Sequence, residues 1–159
     1  MASYNSVELE SVRTDGDKLK PNQKSGKIVI AEFNYTVPTG NLTINDTIDL
    51  VVVPAGAKFV GGVYQHGAMG SGATMDIGLK GTDGRGFIDA AGTVADDPDY
   101  FIDGDNVAAA GQDTIAELAQ GDLNALSTID KDCIIYATCL SAGWVATKTL
   151  QGIIKYVQP

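Results

Sequence analysis

The chain has 159 residues, 44% of them apolar, and a formal net charge of −9. That is one domain's length with enough apolar content for a core. The charge excludes a non-specific nucleic-acid binder, which needs basic patches to displace counterions from phosphates. Nineteen glycines favour turn-rich β architecture over helices.

Residues 1–26 are polar, without a sustained hydrophobic period, and close on Ser25-Gly26. They read as an extended arm, with at most one short strand near Val7–Val12. From Lys27 the pattern becomes regular. Val29, Ala31, Phe33, Tyr35 and Val37 alternate with Glu32, Asn34 and Thr36, the signature of a half-buried strand. Pro38-Thr39-Gly40-Asn41 ends it in a turn, because proline presets φ and glycine tolerates positive φ.

The next strand is expected over Thr47–Val53, with Ile48, Leu50 and Val52 on one face and Val51 and Val53 on the other. Pro54-Ala55-Gly56 then turns the chain into a strand over Phe59–His66. Gly61-Gly62 inside that strand predicts a bulge or a close backbone approach. "GAMGSGA" is a further turn, and Met75, Ile77 and Leu79 alternate in the strand after it.

Residues 81–132 carry twelve acids against two bases, Arg85 and Lys131, whereas the rest of the chain is nearly neutral. A short strand or turn is expected around Tyr100–Ile102. For "QDTIAELAQGDLNAL" a short helix and irregular β structure both stay open, since Gly121 interrupts the helical spacing. Two strands close the chain. Cys133, Ile135, Ala137 and Cys139 line one face of the first, and Leu150, Ile154 and Tyr156 one face of the second. Strands about ten residues apart, with turn signals between, belong to an antiparallel sandwich or jelly roll. The expected fold is therefore all-β, with an extended arm over 1–26 and one sandwich domain over 27–159.

The parts for catalysis are few. His66 is the lone histidine, and it reads as a strand-end surface residue rather than a general base. No serine sits in a nucleophile elbow. Cys133 and Cys139 share a face some 20 Å apart at about 3.3 Å per residue. That exceeds the roughly 7 Å reach of a disulfide, so both are expected as buried thiols. Asp96, Asp97, Asp99, Asp103 and Asp105 are clustered, but without the spacing of a calcium loop. The three N-x-T triplets, at Asn34, Asn41 and Asn45, read as products of a Thr/Asn-rich β sequence. No catalytic residue, cofactor or metal site is assigned. Without a leader or a membrane-length apolar run, the expectation is a product released into the cytoplasm.

One long stretch carries a resemblance. Asp46-Thr47-Ile48-Asp49-Leu50, Val53-Pro54-Ala55-Gly56-Ala57 and Met75-Asp76-Ile77-Gly78 follow one another in Thr36–Asp83. With "DYFIDGDNVAAAG" and the closing "LQGIIKYV", this run resembles small virion structural proteins of tailed bacteriophages, in particular capsid decoration (cement) proteins. The resemblance implies a β-rich module on the capsid exterior, made in the host cytoplasm. It implies the major capsid protein as partner, and homo-oligomers, a trimer ahead of a dimer. A head-fibre or tail component, or a carbohydrate-binding module for a host surface, is the alternative. The arm is where this chain departs from the shorter pattern. Its basic residues Arg13, Lys18, Lys20 and Lys24, with Lys27, are the candidates for contact with the shell.

Overall fold

The structure is a computed structural model that describes residues 27–89, 92–115 and 129–158. Ten strands run in order: β1 (Lys27–Thr36), β2 (Thr47–Val53), β3 (Lys58–His66), β4 (Thr74–Gly81), β5 (Phe87–Asp89), β6 (Gly92–Val94), β7 (Asp97–Asn106), β8 (Gly111–Ile115), β9 (Cys133–Leu140) and β10 (Thr149–Gln158). Eight of them form two four-stranded sheets, β1-β10-β3-β8 and β2-β9-β4-β7, in which every neighbouring pair is antiparallel. The connections pass back and forth between the sheets, and only the link from β4 to β7, which carries the β5-β6 hairpin, stays within one. Two such interleaved Greek keys make a jelly roll.

The strand alternation explains the core. Phe33 and Val37 at the first strand, Phe59 and Tyr64 on β3, and Leu150, Ile154 and Tyr156 on β10 are buried from one sheet. Met75, Ile77 and Leu79 on β4 meet them from the other, with Cys133, Ile135, Ala137 and Cys139 on β9. Fully burying one aliphatic side chain is worth about 1.5–3 kcal/mol, so this slab carries most of the fold's stability. Phe59 and Phe101 bridge the sheets edge to face, with ring centroids 4.9 Å apart. Both cysteines are buried and free, as their spacing predicts.

Two irregularities set the strand faces. On β2 the register against β9 slips between Asp49 and Val51, leaving Leu50 as the extra residue. The expected grouping of Ile48, Leu50 and Val52 on one face is therefore overturned. Past the bulge Val53 is buried, and Val52 faces out at 62% exposure. On β3 a second slip places Val60 between the partners of Tyr156 and Lys155. Gly61 there has φ 121°, and a Cβ on Gly62 would lie 2.4 Å from the Ile153 carbonyl oxygen. The glycine pair thus serves both a bulge and a close approach.

Pro54-Ala55-Gly56 carries the chain from one sheet to the other, since β2 and β3 are not partners. Gly56 takes φ 82°, and the Ala57 N–H closes the turn on the Pro54 carbonyl. Asn41 and Asn45 also adopt positive φ, at 60° and 73°, in the loop before β2. Asparagine tolerates that region better than most residues, which gives both a structural role. The helix alternative fails for residues 112–115, which belong to β8, and residues 116–126 lie outside the described residues. The acidic stretch is also more regular than expected, with β5, β6 and the ten-residue β7 inside it.

Candidate interaction surfaces

The outer face of the β1-β10-β3-β8 sheet is set by its register. Ile28, Val157 and Lys58 form one transverse row, and Ile30, Lys155 and Gly61 the next. Glu32, Ile153, Val63 and Thr114 make a third row, and Asn34, Gln151, Gln65 and Gln112 a fourth. Ile28 and Ile30 are each 56% exposed. The outer face of an antiparallel sheet normally turns polar, so one end of this face is unusually aliphatic. Its charges are Lys58 and Lys155 against Glu32, while Lys27, at the start of β1, has the opposite parity, that of Val29 and Phe33.

The acids gather on the other sheet and its loops. Many of them serve local geometry. Asp96 accepts from the Gly81 N–H at 3.0 Å, and Asp97 from the Asp99 N–H at 3.3 Å. Asp83 accepts from the Arg85 N–H and pairs with Lys131. Asp46 accepts from both the backbone and the hydroxyl of Thr43. These bonds hold the Asp46 and Asp83 carboxyls below the usual range, the backbone donors of Thr43 and Arg85 being the main cause in each. Lys80 pairs with Asp49 and lies 4.7 Å from the centroid of the Tyr136 ring.

Near β7 the chain is bulged twice against β4, with slips between Met75 and Ile77 and between Ile77 and Leu79. The Asp97-Pro98 backbone consequently lies over the outside of β4, where a Cβ on Gly78 would come within 2.2 Å of the Asp97 carbonyl oxygen. Asp76 is buried there and accepts from the Gly104 N–H at 2.7 Å. Burial raises its carboxyl above the ordinary value; the Gly104 bond opposes the rise, and Asp103 and Asp99 add to it. Burial likewise pushes the Tyr136 phenol up to about 12, with Asp96, Asp97, Asp99 and Asp76 adding to the rise.

The Asp cluster does not converge. Asp96, Asp97 and Asp105 point at separate partners, and no group of three His, Cys, Asp or Glu among the described residues could hold a metal ion. His66 is not the surface residue the sequence implies. It shares the inward parity of Tyr64, is 7% exposed, and its ring lies over Gly111, where a Cβ would come within 3.0 Å of Nε2. The two rings stack with centroids 6.0 Å apart. Of the residues assigned to shell contact, Arg13, Lys18, Lys20 and Lys24 lie outside the described residues. Lys27 opens β1, exposed and opposite Gln158.

No protein-family model and no curated protein matches the chain. Solved structures do. The fold is similar to a chain in the capsid of Ralstonia phage GP4, with TM-score 0.62 and 18% identity over 85% of this chain and 86% of that one. It is also similar to a chain of the cyanophage Pam1 capsid asymmetric unit, with TM-score 0.55 and 14% identity over 100% of both. The chain therefore has an all-β jelly-roll fold of the kind found in phage capsid proteins.

Proposed function

We propose that this chain is a virion structural protein that decorates and stabilises a phage capsid by binding its assembled subunits as a homo-oligomer. The observation that carries the reading is the two-way coverage of the capsid matches. Each matched chain is about as long as this one, so the likeness is to a whole small capsid constituent rather than to a fragment of a larger protein. The notable sequence features are spent on sheet geometry, and Tyr64, His66 and Asp76 each form a hydrogen bond within the fold. A multimeric clamp needs only weak individual contacts, because engaging several sites at once multiplies them.

The charge layout supports an orientation. The basic residues at Lys27, Lys58 and Lys155, next to exposed Ile28 and Ile30, face the shell together with the arm residues Arg13, Lys18, Lys20 and Lys24. The Asp-rich β7 side faces away. The test is co-sedimentation of the purified chain with capsids stripped of it and with free capsid subunits. Binding to shells and not to subunits is expected, and a chain lacking residues 2–26 should melt cooperatively but bind more weakly. Failure to bind shells, or location on the tail, overturns the reading.

A further inference from the structure

The row Asn34, Gln151, Gln65 and Gln112 places four primary amides on adjacent strands of one sheet face. At roughly 4.8 Å per strand they span about 14 Å. The row runs along an open depression of about 530 Å³, within the range typical of small-molecule sites. Val63 and Ile153, from the neighbouring row, line it as well, and Glu32 is its one charged residue.

Three properties of this groove define what fits it. An amide offers two donors and an acceptor, and among the described residues none of these four side chains makes a hydrogen bond, so the capacity is unspent. The row is neutral, in a chain whose other polar surface is dominated by Asp and Lys. Its aliphatic wall gives an apolar surface beside the polar row. Hydroxyl groups donate and accept, as amides do, and a sugar ring presents C–H faces between its hydroxyls. We propose that the groove binds a neutral oligosaccharide, its hydroxyls bonded along the amide row and its C–H face against Val63 and Ile153. An extended peptide would instead seek a sheet edge, where backbone groups are unpaired. The groove shares the sheet face that carries Ile28 and Ile30, so it is tested on the free chain, where its outcome is separate from shell binding.

The side-chain amides are their own reporters. The isotopically labelled full-length chain would be titrated with maltohexaose, cellohexaose and chitohexaose and its NH₂ resonances followed. Saturable shifts in Asn34, Gln65, Gln112 and Gln151 are expected with at least one of the three. Gln65→Leu with Gln151→Leu should weaken that binding by about tenfold or more, with the melting transition kept. Ile28→Gln with Ile30→Gln, outside the groove, should bind like the native chain. Four results each overturn the proposal: no shift with any of the three sugars, shifts elsewhere on the molecule, equal binding by the Gln65/Gln151 variant, or amide shifts that follow protein concentration alone. The last would mean that a second copy occupies the groove.

Discussion

The Tyr64 hydroxyl donates to the Asp105 carboxylate at 2.6 Å, and so β3 of one sheet is tied to β7 of the other. Tyr64 is 1% exposed. Burial first, then the bond to Asp105, hold its phenol well above the ordinary value of 10. The stability linked to that proton is fully present below the unfolded value and is lost only as pH rises through the folded one. A hydrogen bond to a charged acceptor is worth about 1.5–3 kcal/mol, and Tyr64→Phe should lower the unfolding free energy by that amount. Urea denaturation with an unchanged m-value checks it, and an unaltered midpoint would remove the inter-sheet bond from the account.

Gly78 is held by the backbone that crosses it. Gly78→Ala drives a methyl into the Asp97 and Pro98 main chain, which cannot swing away as a side chain could. A loss of about 3 kcal/mol or more is expected. Gly40→Ala is the matched control, since its Cβ would meet nothing within 4 Å, and thermal melts of the two variants should separate clearly.

Asp76 gives the stability a pH dependence of definite sign. Its folded pKa is raised above 3.8, so its contribution is present below that value and is lost as pH rises through the folded one. Asp76→Asn keeps an acceptor for the Gly104 N–H and removes the ionisation. The variant should gain on the native chain over the span that opens at the ordinary carboxyl value of 3.8 and rises from it. A melting difference that stays constant over that span would show that the burial of Asp76 has no electrostatic consequence. Asp46 and Asp83 act in the opposite direction: their lowered values contribute stability that is lost as pH falls through them.

The two cysteines should be chemically silent until the fold opens. Burial pushes Cys133 up to about 11 and raises Cys139 as well, and the thiolate is the reactive form. A thiol reagent at about pH 8 should label neither residue in the native chain and both after denaturation. Rapid native labelling would contradict their place in the core.

The sheets were legible wherever one face of a strand was plainly apolar. Val29, Ala31, Phe33 and Tyr35 alternate without interruption, and so do Cys133 to Cys139, and both strands lie as the pattern requires. The β2 faces were not legible, because a bulge at Leu50 reverses parity within a run of valines that would suit either face. His66 was misread because burial at a strand end depends on its partner: Gly111, forty-five residues away, leaves room for the ring. The amide row was invisible for the same reason. Asn34, Gln65, Gln112 and Gln151 are far apart in the chain, and only the pairing of four strands lines them up. The clustered Asp residues lacked the spacing of a calcium loop, and in the fold Asp96, Asp97 and Asp105 hold separate partners, two of them distant in the chain.

The alternation of strands between sheets governs when the molecule can fold. β1, the first of the described strands, hydrogen-bonds along its whole length to β10, the last of them, and β10 is also the strand that joins β1 to β3. Until Thr149–Gln158 has emerged from the ribosome, the sheet has no centre, and no earlier hairpin can stand in for it. Distant pairings of this kind fold slowly, and unfinished chains expose apolar strands meanwhile. Growing copies on one message expose those strands together, and the surplus of negative charge in residues 81–132, already synthesised by then, gives neighbouring nascent chains like charges that repel.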